Sequence, residues 1–271
     1  MVRMRPGSGL RIQRAAEELY RAHEARERFS PLPEELAPKN AEDAYAIQDE
    51  FVSLRALKLG AIAGYKIALS SAEMRRFVGV EEPQAGVILE STLHRTPARV
   101  RASDYVHLIV EFEIAVQMAV DLPVADAPYS RERIAGAVSA VMPALELADD
   151  RNADYTQLAK HPHELIADNA WNEGAVLGEP ITDWDLLDLA ALRGVGTING
   201  KAVGEGISAA AMGHPFDAVA WVANHLAAHG RGLVFRDVVI TGSIITTKTV
   251  KAGDVVRFSV EKLGEVELRV D

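Results

Sequence analysis

Two glutamates, Glu111 and Glu113, stand two positions apart in the apolar segment LIVEFEIAVQM, residues 108–118. The segment has the composition of a buried β-strand, in which successive side chains point to opposite faces, so both carboxylates point the same way. Two like charges side by side in a buried setting are costly unless a positive group lies between them. A divalent cation would balance the pair, whereas a solvated strand face would need no cation. The spacing leaves both interpretations open.

A third acidic residue, Glu146, lies in a similar apolar segment, VMPALELADD. Three carboxylates on neighbouring strands would present the all-oxygen ligand set that Mg²⁺ or Mn²⁺ prefers, with coordination positions left for a substrate. The three glutamates are therefore candidate metal ligands, with solvated carboxylates as the alternative.

Further polar residues are candidates for binding or proton transfer. Lys66, in the apolar segment AGYKIAL, either extends its ammonium group to solvent or pairs with a substrate carboxylate. His107 shares the strand parity of the two glutamates, so it is either an acid or base of the same site or a histidine at the strand end. Asp168 and Asn169 suit a tight turn or the orientation of a ligand.

Two other segments carry less chemistry, and one common catalytic motif is absent. The segment HPHE, residues 161–164, has metal-ligand types, but its proline favours a loop. The glycine-rich segment GTINGKAVGEG has neither the G-x-G-x-x-G spacing nor the Walker pattern, and it predicts a hairpin turn. A G-x-S-x-G nucleophile elbow is absent from the sequence, which argues against an α/β-hydrolase.

Composition narrows the class of protein. The net charge is −10, from 39 acidic and 29 basic residues, which argues against nucleic acid or an anionic membrane as the main partner. There is no cysteine, so disulfides, thiol nucleophiles and cysteine-based zinc sites are excluded. We expect a cytoplasmic location, because no signal-peptide pattern and no apolar run of about 20 residues is found.

The pattern of elements changes near residue 60. Residues 9–29 and the segment after Asn40, closed by Gly60, predict two helices. Short strands then dominate, with helices predicted over 126–141, started at Ser130, and over 214–230. The predicted organisation is an N-terminal helical cap over residues 1–60 and a β-rich catalytic core over residues 61–271, in the α+β class.

Seven segments, taken in order, resemble the fumarylacetoacetate hydrolase superfamily, and within it the branch of 2-hydroxypenta-2,4-dienoate hydratases and 4-oxalocrotonate decarboxylases. They are NAEDAYAIQ, GYKIALSSAEM, VEFEIAV, MPALELADDR, IADNAWNEGAVLG, AAAMGHPFDAVAWVANHL and VITGS. The resemblance implies a mixed β-roll or barrel core with an N-terminal helical part, and assembly into homo-oligomers. It also implies that Glu111, Glu113 and Glu146 hold Mg²⁺ or Mn²⁺, and that Lys66 contacts the acid end of the substrate.

The chain departs from the family pattern at three places. Gln84 stands where many of these hydratases have an aspartate, and an amide cannot transfer protons as a carboxylic acid does. Leu108-Ile109 replaces a common Pro-Arg pair, and the bulky Trp171 replaces a small residue. Gln84, His107, Asp168 and a metal-bound water all remain candidates for the acid or base, so these departures put the substrate and the proton transfer in question.

The resemblance implies a metal-dependent hydratase that adds water to a small 2-hydroxy-2,4-dienoic acid. A decarboxylase of the 4-oxalocrotonate type is the alternative, because both reactions use the same metal-bound electron sink. Another metal-assisted C–C cleavage of the same superfamily belongs to this alternative. A non-catalytic partner subunit is a further alternative, although such a subunit has no need of a costly cluster of buried charges.

Overall fold

The computed structural model describes residues 9–271, and the first eight residues of the predicted helical cap lie outside the described residues. Its α-helices are α1 (Gly9–Glu24), α2 (Ala41–Leu59), α3 (Ala72–Val78), α4 (Arg131–Ala135), α5 (Glu164–Ala167) and α6 (Pro215–Ala228), and short 3₁₀ turns connect other segments. Between residues 9 and 271, no helix combines the length and the apolar character that crossing a bilayer requires.

Helix α2 begins and ends where the sequence predicts. The Asn40 side chain accepts a hydrogen bond from the Asp43 N–H, and Gly60 ends the helix with a positive φ of 88°. Helix α1 is shorter than the predicted 9–29. It ends at Glu24, and Arg26 turns the chain away with a φ of 51°.

The two N-terminal helices pack on each other and on the rest of the chain. Their apolar cluster includes Ile47 and Phe51 of α2, and also Ala85, Ile166 and Ala167 from beyond residue 60. The helical part therefore shares a core with later segments, and its boundary as a separate cap stays a prediction.

Two sheets make up the strand-rich part. The strands of the larger sheet are β1 (Ile62–Ala68), β2 (Gln84–Leu89), β3 (Leu93–Arg95), β5 (Leu108–Met118), β6 (Val138–Asp149), β7 (Asn172–Leu177), β10 (Val238–Ile240) and β11 (Ile245–Thr249). Those of the smaller sheet are β4 (Ala98–Val100), β8 (Arg193–Ile198), β9 (Lys201–Ile207), β12 (Val255–Val260) and β13 (Gly264–Val270). The larger sheet is mixed, with the order β2-β1-β10-β5-β6-β7-β3 and with β11 also paired to β5. This confirms the predicted α+β class.

One predicted helix is wrong in extent. Ser130 caps α4 as predicted, but the helix ends at Ala135 rather than near residue 141. Residues from Val138 onward belong to β6, the long central strand that pairs with β5. The cross-strand pairing of this apolar segment outweighs its weak helical periodicity.

The two faces of β5 have different neighbours. One face carries Val110, Phe112 and Ile114 into the main core, shared with the smaller sheet and α6. The opposite face carries Glu111 and Glu113, and it is lined at its two ends by two smaller apolar clusters. The candidate site therefore lies on a buried sheet face, between apolar surroundings.

Candidate active site

The register of two central strands brings the three glutamates together. Glu111 of β5 pairs directly with Glu146 of β6, and Glu113 lies two residues further along β5, on the same face. One oxygen from each carboxylate lies within 4.8 Å of the others. We call Glu111, Glu113 and Glu146 the acidic trio. Glu113 and Glu146 are fully buried and Glu111 is half-buried, so the alternative of a solvated strand face is wrong for two of the three.

Each carboxylate of the acidic trio is oriented by one neutral donor. Asn172 Nδ2 donates to Glu146 Oε1 at 2.9 Å, and the Gly242 N–H donates to Glu113 Oε2 at 2.6 Å. Thr247 Oγ1 donates to Glu111 Oε1 at 3.1 Å. These donors leave Glu113 Oε1 and Glu146 Oε2 buried without a hydrogen-bond partner among residues 9–271.

Lys66 of β1 is the cation of this site. Its Nζ lies 3.0 Å from Glu146 Oε1 and donates to the Ala170 carbonyl at 3.3 Å. The side chain is buried, so the alternative in which Lys66 extends its ammonium group to solvent is wrong. Its aliphatic stem packs against Gly86 of the neighbouring strand, where a Cβ atom would lie only 2.8 Å from Lys66 Cγ. The stem is thereby confined, and the ammonium group is fixed beside the trio.

The electrostatics of the site follow from burial and crowding. Burial raises the pKa of Glu113 well above its usual value, and the charges of Glu146 and Glu111 raise it further. Burial also raises the pKa of Glu146, which Lys66 partly opposes. For Lys66, burial lowers the pKa, but the three carboxylates outweigh burial and raise it above the usual value. The ammonium form is therefore the stable one beside the trio.

The donor set fits a divalent cation. When all three carboxylates are ionised, as metal ligands must be, they carry three negative charges, of which Lys66 balances one. The remaining two match a doubly charged ion, and the two unpartnered buried oxygens supply ligand atoms that lack a donor in this part of the chain. Hard oxygen ligands of this kind suit Mg²⁺ or Mn²⁺.

The carbonyl that contacts Lys66 belongs to a strained turn. Asn169, Ala170 and Trp171 have successive φ values of 52°, 49° and 60°, a region that non-glycine residues rarely adopt. Asn169 secures the turn because its side chain accepts from the Val87 N–H at 2.7 Å and donates to the Val87 carbonyl at 2.9 Å. The interpretation of Asn169 as a turn residue is thus confirmed.

Asp168 precedes this turn and is bound by two cations. Its carboxylate lies 2.6 Å from His23 Nε2 of α1 and also accepts from Arg151 Nη2. Burial raises the pKa of Asp168, but these two cations outweigh burial and lower it. The acidic trio and Lys66 are not among its hydrogen-bond partners, and its catalytic role stays a prediction.

His107 and Gln84 lie further along the site face. His107 directly precedes β5, and its Nδ1 lies 2.7 Å from Asp150 Oδ1 while Tyr155 donates to the other oxygen of Asp150 at 3.0 Å. Gln84 lies two positions from Gly86 on β2, and its Nε2 donates to the Pro162 carbonyl at 3.2 Å. Neither side chain is hydrogen-bonded to the acidic trio, so their catalytic roles also stay predictions.

The sequence reasoning missed the residues that hold the trio in place. Asn172, Gly242 and Thr247 are short polar or glycine positions whose importance depends on strand pairing. Asn172 and Gly242 lie inside segments that carry the family resemblance, which is the signal that could have found them. Thr247 lies in the repetitive segment ITTKT, which gives no such signal.

The family described as Fumarylacetoacetate (FAA) hydrolase C-terminal matches residues 63–271. The match covers more than half of the chain, so the chain belongs to this family. The 2-hydroxyhexa-2,4-dienoate hydratase of Comamonas testosteroni is 30% identical over 260 residues, covering 95% of this chain and 97% of that protein. The 2-oxo-hept-4-ene-1,7-dioate hydratase of Escherichia coli is 29% identical over 257 residues, covering 94% and 96%.

A solved structure extends the likeness to three dimensions. The 4-oxalocrotonate decarboxylase from Pseudomonas putida G7, complexed with magnesium and adipate, superposes with a TM-score of 0.87. It is 27% identical, and the match covers 96% of this chain and 97% of that one. The predicted fold of this superfamily is confirmed.

Proposed function

We propose that this chain is a divalent-metal-dependent hydratase that adds water to a 2-hydroxy-2,4-dienoate and gives a 4-hydroxy-2-oxo acid. The observation that carries the proposal is the convergence of three carboxylate oxygens within 4.8 Å beside a buried lysine. The hydratases of Comamonas testosteroni and Escherichia coli, which match nearly the whole chain, support this choice of reaction.

In the proposal, the acidic trio holds Mg²⁺ or Mn²⁺. A bound ion of this kind supplies a Lewis acid that polarises an adjacent oxo oxygen and favours the enolate. The magnesium in the related decarboxylase structure supports this assignment, as do the unpartnered oxygens of Glu113 and Glu146.

Lys66 is assigned to the carboxylate of the substrate. Its ammonium group is held by Glu146 and the Ala170 carbonyl, and its stem is confined by Gly86. A cation fixed in this way fixes the position of a substrate carboxylate at little further cost in entropy. It also adds positive charge where negative charge develops during formation of the enolate.

His107 is assigned to proton exchange with water at the outer end of the site face, beyond the residues that contact the substrate. Its imidazole is oriented by Asp150, an arrangement that fixes one ring nitrogen and leaves the other near the Thr249 hydroxyl. Gln84 and Asp168 are assigned to positioning, because an amide transfers no proton and Asp168 is bound by two cations. The substitution His107→Asn is expected to lower kcat while the metal affinity, measured by titration calorimetry, stays unchanged.

Decarboxylation is the second candidate function. The likeness to the Pseudomonas putida G7 decarboxylase favours it, and the trio with Lys66 serves either reaction. A non-catalytic partner subunit is disfavoured because a structural role gives no reason to keep a buried cluster of like charges.

One assay separates these functions. The purified protein is incubated with 2-hydroxypenta-2,4-dienoate and, separately, with 4-oxalocrotonate, first with Mg²⁺ and then with EDTA, while dienol absorbance and CO₂ release are followed. We expect Mg²⁺-dependent loss of the dienol without CO₂, abolished by EDTA. Release of CO₂ from 4-oxalocrotonate, with a kcat/KM higher than that for loss of the dienol, would overturn the hydratase proposal in favour of the decarboxylase. Inactivity on both acids without metal binding would indicate the partner subunit.

A further inference from the structure

On the sheet face that carries the acidic trio, the charged residues are followed along the strands by apolar residues and then by polar ones. Ile109 precedes Glu111 by two residues on β5 and pairs with Ala148, which follows Glu146 by two residues on β6. Strand β1 runs antiparallel to β5, through β10, so Ala68 lies beyond Lys66 toward the same end of the sheet. All three charged strands therefore continue into apolar side chains in one direction.

These apolar residues belong to one packed cluster. We call it the apolar collar, and it includes Ile109, Ala148, Leu158, Leu165, Ala170 and Trp171. All six side chains are buried. The rings of Trp171 and Tyr155 pack in a T-shaped arrangement, and the Tyr155 hydroxyl donates to Asp150. The rim of Asp150, Tyr155 and His107 therefore lies beyond the collar.

The length of the substrate decides which of its carbons meets the collar. Strand geometry puts Ile109 about 7 Å from Glu111 along β5. An extended carbon chain advances about 1.3 Å per bond, so the sixth carbon of an acid held at its carboxyl end lies about 6 Å further on. A six-carbon acid that extends from the trio along β5 toward Ile109 thus places its distal end at the collar, and the rim lies beyond it.

From this placement, and resting on the proposed function of the same site, we propose that the substrate carries an apolar group at its distal end rather than a second carboxylate. A carboxylate in the collar would lose its water without gaining a counter-ion, a cost that one neutral donor does not offset. The collar has one such donor, Trp171 Nε1, which has no partner within residues 9–271 and suits a hydroxyl or a water.

Two arginines near the site are engaged by other groups. Arg151 binds Asp168, and Arg75 of α3 donates its Nη1 to the carbonyls of Leu69 and Ser70. The rim itself presents the carboxylate of Asp150, which repels a second acid group. The family contains relatives named for substrates of both kinds, a hexadienoate and a heptenedioate, so the distinction is a real choice for this chain.

A matched pair of substrates tests the proposal. 2-Hydroxyhexa-2,4-dienoate and 2-hydroxyhepta-2,4-diene-1,7-dioate differ by the carboxylate on the sixth carbon. With Mg²⁺ present, we expect kcat/KM to be at least about 50-fold higher for the hexadienoate, because the second acid must be desolvated in the collar. Equal or higher kcat/KM for the dioate would overturn the inference while the hydratase proposal stands.

Binding of unreactive analogues gives an independent readout. Titration calorimetry with 2-oxohexanoate and 2-oxoheptanedioate, in the presence of Mg²⁺, is expected to show the tighter binding for 2-oxohexanoate. If that order is found but neither dienoate is hydrated, the hydratase proposal fails and the inference on the distal group stands. Tighter binding of the dioate, lost in Arg75→Gln, would overturn the inference and identify Arg75 as the counter-ion.

A pair of variants isolates the polarity of the collar from its volume. Ile109→Val and Ile109→Thr place nearly equal volumes at the same β-strand position, and only threonine adds a hydroxyl group. We expect the preference for 2-oxohexanoate to be about tenfold lower in Ile109→Thr than in Ile109→Val. The same preference in both variants would contradict a role for the collar.

Discussion

His23 of α1 joins the N-terminal helix to the turn beside the site, and its charge has a measurable consequence. Its Nε2 lies 2.6 Å from Asp168 Oδ1, and its Nδ1 lies 3.2 Å from Glu173 Oε1. Ionised carboxylates only accept hydrogen bonds, so both ring nitrogens must carry protons. The substitution His23→Gln removes this charge from a buried network that also contains Arg55 and Arg151.

The magnitude follows from the pKa of His23. Burial lowers this pKa, but Asp168 and Glu173 outweigh burial and raise it to about 9, above an ordinary value of 6.5. A difference of about 2.5, at about 1.4 kcal/mol for each tenfold change in proton affinity, gives about 3 kcal/mol of folding free energy. Since the folded-state pKa is the higher one, this stability is fully present below pH 6.5 and is lost as the pH rises through 9.

Urea unfolding of the wild type and His23→Gln at pH 6 and pH 10 measures this contribution. Other groups titrate in both proteins, so the difference between the two proteins isolates His23. We expect the wild type to lose about 3 kcal/mol more than the variant between the two pH values. The same loss in both proteins would show that the His23 imidazole is neutral in the folded chain, and would refute the reasoning.

Two further predictions concern the surroundings of Lys66. Gly86→Ala puts a methyl group 2.8 Å from Lys66 Cγ, so we expect kcat to fall about 100-fold. Gly136→Ala is the control, because the nearest atom to its methyl group is 3.6 Å away, and we expect its kcat to change little. Asn169→Asp loses its donor to a main-chain carbonyl in the turn that contacts Lys66, so we expect a loss of about 1–3 kcal/mol in urea unfolding and a lower kcat. Asn224→Asp breaks an equivalent pairing on α6 and should lose similar stability with kcat unchanged. Unchanged kcat in Gly86→Ala or Asn169→Asp would contradict the role given to the neighbourhood of Lys66.

Local features of the fold were predictable because they depend on neighbouring residues. Asn40 and Gly60 delimit α2, and the turn at Asn199-Gly200 joins β8 and β9, as the sequence predicts. Strand alternation alone put Glu111 and Glu113 on one face. Each of these depends on backbone preferences that a few residues determine.

The arrangement of the whole site was less predictable, because it depends on contacts between residues that are far apart in the sequence. Glu146 meets Glu111 through the register of β5 and β6, which the resemblance implied and local periodicity could not determine. The contact of His23 with Asp168 joins residues 145 positions apart. Long-range pairing also explains why α4 is shorter than predicted. The residues from Val138 onward, which were predicted to be helical, pair with β5 as part of β6.

Metal titration of Glu113→Gln tests the central assignment most directly. Glutamine keeps an acceptor for the Gly242 N–H but removes one of three crowded charges, so the metal-free variant should be at least as stable as the wild type. We expect its affinity for Mg²⁺ or Mn²⁺ to fall at least about 100-fold, while Glu261→Gln on the surface leaves it unchanged. An unchanged titration in a folded Glu113→Gln protein would contradict the account of this site.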